Sequence, residues 1–169
     1  MIERTFTVIE ALTLALWIGA LAGFAFIFAP SAFHIVVNLD QFALLTATVL
    51  ERLTWLGFIC GGLAIVAAIV RARDEAERPL AVIRVLLLIV MLALAWIESA
   101  AVIPHMQAVA SSFGTSLNAI PKSDTRMIQY DGLHRQSSLI YGALFLLGLV
   151  TIALSALARP SARPRVWSR

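Results

Sequence analysis

Residues 82–103 read VIRVLLLIVMLALAWIESAAVI, an apolar run whose only charged residues are Arg84 and Glu98. A helix needs roughly 20 consecutive apolar residues to cross the hydrocarbon core of a bilayer, and this run meets that length. A strand of a transmembrane barrel would instead alternate apolar and polar side chains over about ten residues. Working outward, three further runs of the same character occupy residues 7–29, 53–70 and 137–158. In lipid every backbone amide has to be satisfied within the segment, so such runs fold as helices. The expected fold class is therefore all-α, an integral membrane four-helix bundle forming a single transmembrane domain over 1–169. Its helices are expected at about 7–29, 41–70, 80–103 and 124–158.

The rest of the composition agrees with a lipid environment. Of 169 residues, 60% are hydrophobic and 14% charged, against about half and a quarter in soluble domains. The net charge of +3 comes from arginine, because Lys122 is the only lysine. Those arginines flank apolar runs instead of forming one basic patch, so the lipid bilayer is the expected partner and nucleic acid is not. The single cysteine, Cys60, allows no disulfide framework within the chain and no cysteine-based metal cluster. The first run exceeds the 7 to 15 apolar residues usual for a signal peptide and carries Glu10, so it reads as a retained helix.

Arginine also sets the expected orientation. Arg4, the turn residues Arg71, Arg73, Arg78 and Arg84, and the tail residues Arg159, Arg163, Arg165 and Arg169 all fall on one side of a four-span topology. Only Arg52, Lys122, Arg126 and Arg135 fall on the other. Positive charge is retained inside, which places both termini and the turn 71–79 in the cytoplasm and the loops 30–40 and 104–123 outside. The localisation this implies is multi-pass in the cell inner (plasma) membrane. Pro30 is expected to end the first helix, Pro104 threatens the third, and Asp40, Ser123 and Asp124 are caps for the helices that follow.

Ala11, Ala15, Gly19 and Gly23 recur every four residues, and Gly57 and Gly61 repeat that spacing. Small residues so spaced let two helix backbones approach closely, which predicts a seam of Gly19, Gly23, Gly57 and Gly61 between the first two helices. The competing use of the Gly19/Gly23 face is a homo-oligomer contact. Trp55 and Trp96 are placed where indoles favour the membrane interface, and Trp17 nearer mid-membrane.

The chemistry is biased toward the outward end, where His34, His105, His134, Glu51, Glu98 and Asp131 are all predicted. Imidazole and carboxylate bind transition metals, and neutral imidazole is also an axial haem ligand. Glu98 lies inside its helix and should face the bundle interior, a polar cavity, or an ion pair with Arg52 or Arg135. His105 follows two helical turns later. Asp131 precedes His134 by three residues, a spacing at which a carboxylate can orient an imidazole. The candidate metal ligands are thus His134, Glu98 and His105, with copper, another transition metal or haem as the candidate cofactor. Glu10, near the inner end, is expected to snorkel or to pair with Arg84 or another inner arginine. No phosphate-binding glycine loop, G-x-S-x-G elbow, H-E-x-x-H or C-x-x-C occurs.

Four pieces, Leu16-Trp17-Ile18-Gly19, Ala29-Pro30-Ser31-Ala32-Phe33, Ile103-Pro104 and Leu133-His134-Arg135-Gln136-Ser137, resemble the transmembrane protein 205-like family. The bacterial members of that family are small four-helix membrane proteins catalogued as a domain of unknown function. The resemblance implies the same topology, ranks His134 above the other histidines, and supplies no reaction. The functions that follow are a metal- or haem-binding membrane protein, an accessory subunit of a larger membrane complex, or, last, a small transporter.

Overall fold

The computed structural model describes residues 2–72 and 78–157. Its helices are α1 (Ile2–Gly23), α2 (Ala29–Ile35), α3 (Leu39–Arg71), α4 (Arg78–Ile97), α5 (Ile103–Ser111) and α6 (Thr125–Leu157). A π-helical turn, Phe24–Phe28, fuses α1 to α2, and a second, Glu98–Val102, fuses α4 to α5. Four continuous rods result: Thr5–Ile35, Leu39–Arg71, Arg78–Ser111 and Thr125–Leu157, each long and apolar enough to cross a membrane. The all-α four-helix membrane bundle is what the apolar runs predict. Arg73 of the predicted turn and the tail arginines from Arg159 onward lie outside the described residues.

Neither proline ends its helix, contrary to the sequence expectation. Proline lacks an N–H and its ring clashes with the carbonyl four residues back. Those carbonyls belong to Phe26 and Ala100, inside the two π turns. The wider turn absorbs the clash, and each proline then sits at the start of the next α segment, where no N–H is needed. In lipid this is cheaper than breaking the helix and exposing amides.

The rods pack in a ring, α1 on α3, α3 on α4, α4 on α6 and α6 on α1. Leu14, Trp17, Ile18, Leu88, Met91 and Leu144 fill the centre. The four glycines of the predicted seam have different surroundings. A Cβ on Gly57 would fall 2.6 Å from Trp17 Nε1, and one on Gly61 would fall 3.0 Å from Trp17 Cζ3, so these glycines form a shallow groove for an indole. Gly19 and Gly23 meet nothing within 4 Å. Leu14, Trp17, Ile18 and Leu21 take the inward face of α1, and that helical phase turns Ala11, Ala15 and Gly19 outward. Trp55 and Trp96 are exposed on the bundle surface.

At the end near the termini, one carboxylate ties all four rods together. Glu10 on α1 accepts from Arg71 Nη1 on α3 at 2.8 Å and from the Ser155 hydroxyl on α6 at 2.7 Å. It also pairs with Arg84 on α4 at 3.2 Å. Glu10 and Arg84 have no solvent exposure.

The opposite end carries the linkers 36–38 and 112–124, and is called the linker end below. At about 1.5 Å per residue the 31- to 34-residue rods span about 46–51 Å, against a hydrocarbon core of roughly 30 Å. The overshoot leaves room for a small second core of Val109, Phe113 and Leu117. Asn38 caps α3, its side chain accepting from the Asp40 amide. Asp40 in turn accepts from the Leu117 amide at 3.0 Å and from the Ser116 hydroxyl, anchoring the long linker to α3. Asp124 accepts from the amide and the guanidinium of Arg126, which together hold its carboxyl below the usual range. The linker turns at Gly114, whose φ of +64° favours glycine. Gly114→Ala has room for its Cβ, so only backbone strain opposes it. Thermal unfolding in detergent should report a loss of about 1–2 kcal/mol.

Candidate functional site

The two π turns and prolines lie toward the linker end, and there the rods and the long linker line a partly open cavity of about 660 Å³. That volume is within the 300–1,000 Å³ range of small-molecule sites. Most of the wall is apolar, with Leu21, Phe24 and Phe26 from the α1 side and Phe42 and Leu50 from α3. The polar part is a stripe on α6. Asp131, His134, Ser138 and Tyr141 are spaced three, four and three residues apart, which puts them on one helix face, and all four line the cavity. Ser137, also in the lining, sits beside this stripe.

Behind Ser137 lies Glu98. Its position in the π turn directs it inward, and it has no solvent exposure. The Ser137 hydroxyl donates to Glu98 Oε1 at 2.5 Å. Oε2 has no hydrogen-bond partner among the described residues, and neither does the Tyr141 hydroxyl. Tyr141 lies near Glu98 and beside Thr54, whose hydroxyl donates to the Leu50 carbonyl at 2.9 Å and keeps its oxygen open as an acceptor. An orphaned buried polar group costs about 1–3 kcal/mol. Two of them border the same serine beside one cavity, a donor on tyrosine and a carboxyl on glutamate.

The sequence-predicted residues are placed apart. Glu98 meets Ser137, not Arg52 or Arg135. His105 is exposed on α5, its Nε2 3.0 Å from Gln129 Nε2. His134 and Asp131 line the cavity with no hydrogen bond between their side chains among the described residues. His34 is exposed on α2, against Phe33. No group of three His, Cys, Asp or Glu that could hold a metal occurs among the described residues, so His134, Glu98 and His105 do not form a ready chelating set. Sequence reading gives no site role to Ser137, Ser138 or Tyr141. Their helical register with Asp131 and His134 is the signal that could have found them.

Among the described residues, no lysine or arginine lines the cavity. Asp131 and the buried Glu98 give its surroundings an acidic bias, so an anionic head group is disfavoured and a neutral or cationic one accepted.

A family model described as Domain of unknown function (DUF4149) matches residues 12–112, from α1 through α5. The matching model does not carry the transmembrane protein 205-like name. Comparison with the curated proteins and with the solved structures returns no match.

Proposed function

The chain belongs to this family of unknown function, DUF4149, and from its geometry we propose that it binds an amphiphilic, lipid-soluble molecule in the linker-end cavity. The observation that carries the reading is a mostly apolar cavity of about 660 Å³ lined by Tyr141, whose buried hydroxyl has no partner among the described residues, and by Ser137, which holds the buried Glu98 behind the wall. The apolar body of the ligand lies against Phe24, Phe42 and Leu50. Its head hydrogen-bonds to Tyr141 and Ser137, with His134 and Asp131 further along the same face of α6. An uncharged or cationic head suits this lining, and a carboxylate or phosphate head does not. The arginine distribution supports placing the linker end outside and both termini in the cytoplasm, so the ligand enters from the outer leaflet.

Native mass spectrometry of the protein released from mild detergent tests this, followed by identification of the organic extract. One retained amphiphile per chain is expected. Gly142 lines the cavity and has open space at its Cβ position, so Gly142→Trp fills the site without a backbone clash. It should lower ligand occupancy at least about tenfold, equivalent to about 1.4 kcal/mol of binding free energy. Equal adducts on wild-type protein and Gly142→Trp would overturn the reading.

A further inference from the structure

The bundle repeats itself. One shift in numbering carries Glu10, Leu14, Trp17 and Leu21, the buried face of α1, onto Arg84, Leu88, Met91 and Ala95, the buried face of α4. The same shift lays the π turn Phe24–Phe28 on Glu98–Val102 and Pro30 on Pro104. A second shift carries Leu50, Thr54, Gly57, Gly61 and Ala64 of α3 onto Ser137, Tyr141, Leu144, Gly148 and Thr151 of α6. All of these are buried except the half-buried Tyr141.

The packing repeats as well. A Cβ on Gly61 would collide with Leu92 and meet Trp17, and one on Gly148 would collide with Ile18 and meet Met91. Under the same shifts Leu92 is the counterpart of Ile18 and Trp17 that of Met91. Two helical hairpins, α1–α3 and α4–α6, are thus related by an approximate two-fold axis through the bundle.

That axis has a consequence for binding. The cavity side formed by α1, α2 and α6 maps onto the crevice between α3 and the α4–α5 rod, a neighbouring space of about 440 Å³ that shares Ala47 and Ile103 with the cavity wall. Its walls are the counterparts of cavity walls: Thr54 of Tyr141, Phe58 of Phe145, Ile103 of Ala29. The chemistry differs at the head-group positions. Glu51 stands where the cavity has Ser138, Ser99 where it has Ala25, and Gln107 where it has Phe33. Trp55 completes the wall, and among the described residues no lysine or arginine lines it.

We infer that this crevice is a second amphiphile site, selective for an ammonium head. A carboxylate beside an indole is the pairing that recognises alkylammonium groups, by ion pairing and by cation–π attraction. Glu51 is exposed to the crevice and forms no ion pair with another described residue. The hydroxyls of Ser99 and Thr48 and the Gln107 amide supply the remaining polar groups. The apolar tail runs along Phe58 and Ile103. Selectivity follows from the substitution pattern: the first cavity has serine at the Glu51 position and takes an uncharged head as well as a cationic one, whereas the crevice needs a cation.

The inference rests on the proposed function in treating the larger cavity as a ligand site, and photolabelling separates the two. The probes are a diazirine-bearing C16 trimethylammonium and the matching C16 alcohol, applied to wild-type protein and Glu51→Gln in maltoside micelles, with adducts mapped by peptide mass spectrometry. The ammonium probe should label Trp55, Phe58 and Gln107, which line the crevice and not the larger cavity, as well as residues 137–145; the alcohol should label 137–145 and none of those three. Glu51→Gln should cut ammonium labelling of Trp55, Phe58 and Gln107 about tenfold, as removal of a charge-assisted interaction implies, and leave labelling of 137–145 unchanged. Undiminished labelling of these three residues in Glu51→Gln, or none in the wild type, overturns the inference. Ammonium labelling of them that depends on Glu51, with neither probe at 137–145, supports it while overturning the proposed function.

Discussion

Glu10→Ala is expected to lower the stability of the bundle by about 3–5 kcal/mol, the cost of breaking a buried ion pair by removing one partner. Glu10 is in contact with Arg71 at 2.8 Å and with Arg84 at 3.2 Å. It also accepts the Ser155 hydroxyl. Removing its carboxylate takes a counter-charge from two buried guanidinium groups and disconnects α1 from the other three rods at that end. In water such groups would be rehydrated, but here Arg84 has no exposure and Arg71 is 4% exposed. Glu10→Gln keeps an acceptor and loses the charge, so its cost should fall between wild type and alanine. Unfolding in mixed micelles of rising denaturing-detergent content measures both. A change under about 0.5 kcal/mol for Glu10→Ala, the scale of a surface substitution, would contradict the account of this end.

The four glycines of the predicted seam should divide by sign. Gly57→Ala sets a methyl 2.6 Å from Trp17 Nε1 and 2.8 Å from Cε2. The neighbour is a rigid ring, itself 2% exposed and wedged among core side chains, and it cannot turn aside. Overpacking of this kind costs about 1–3 kcal/mol. Gly19→Ala and Gly23→Ala meet nothing within 4 Å, so only helix propensity is felt, which favours alanine by up to about 1 kcal/mol. The same unfolding assay, run on the three variants, should show Gly57→Ala destabilised and the other two neutral or stabilised. Destabilisation of Gly19→Ala or Gly23→Ala would mean that the outward face of α1 is packed in the membrane after all.

What could be read from the sequence differs by kind of feature. Continuous apolar runs are a statement about solvent, so the number and type of spans follow directly. The prolines misled because the local rule, that proline stops a helix, competes with the rule that lipid leaves no backbone amide unsatisfied. The second rule wins here by widening one turn at Phe24–Phe28 and another at Glu98–Val102. Small-residue spacing located the stripe on α1 but not its direction, which the bulky Leu14, Trp17 and Leu21 decide.

The site was legible in part. Glu98, His134 and Asp131 stood out because ionisable groups are rare in apolar helices, and the structure puts all three in or beside one cavity region. His105 was drawn in by its spacing from Glu98, yet it points to the surface beside Gln129. The two-fold repeat left little trace in residue identity: Leu14 and Leu88, Pro30 and Pro104, and Phe58 and Phe145 match, but other paired positions carry unlike side chains, glutamate against arginine at 10 and 84 and tryptophan against methionine at 17 and 91. Burial reveals it, since equivalent backbones bury equivalent positions whatever occupies them.

The most direct test of the central claim is a cryo-electron microscopy map of the full chain in lipid nanodiscs, at a resolution that separates side chains. The account predicts elongated density between the linker-end halves of α1 and α6, ending within hydrogen-bond reach, about 3 Å, of the Tyr141 hydroxyl. A map in which α1 closes onto α6, with Phe24 packed against Tyr141 and no room for a ligand, would contradict it.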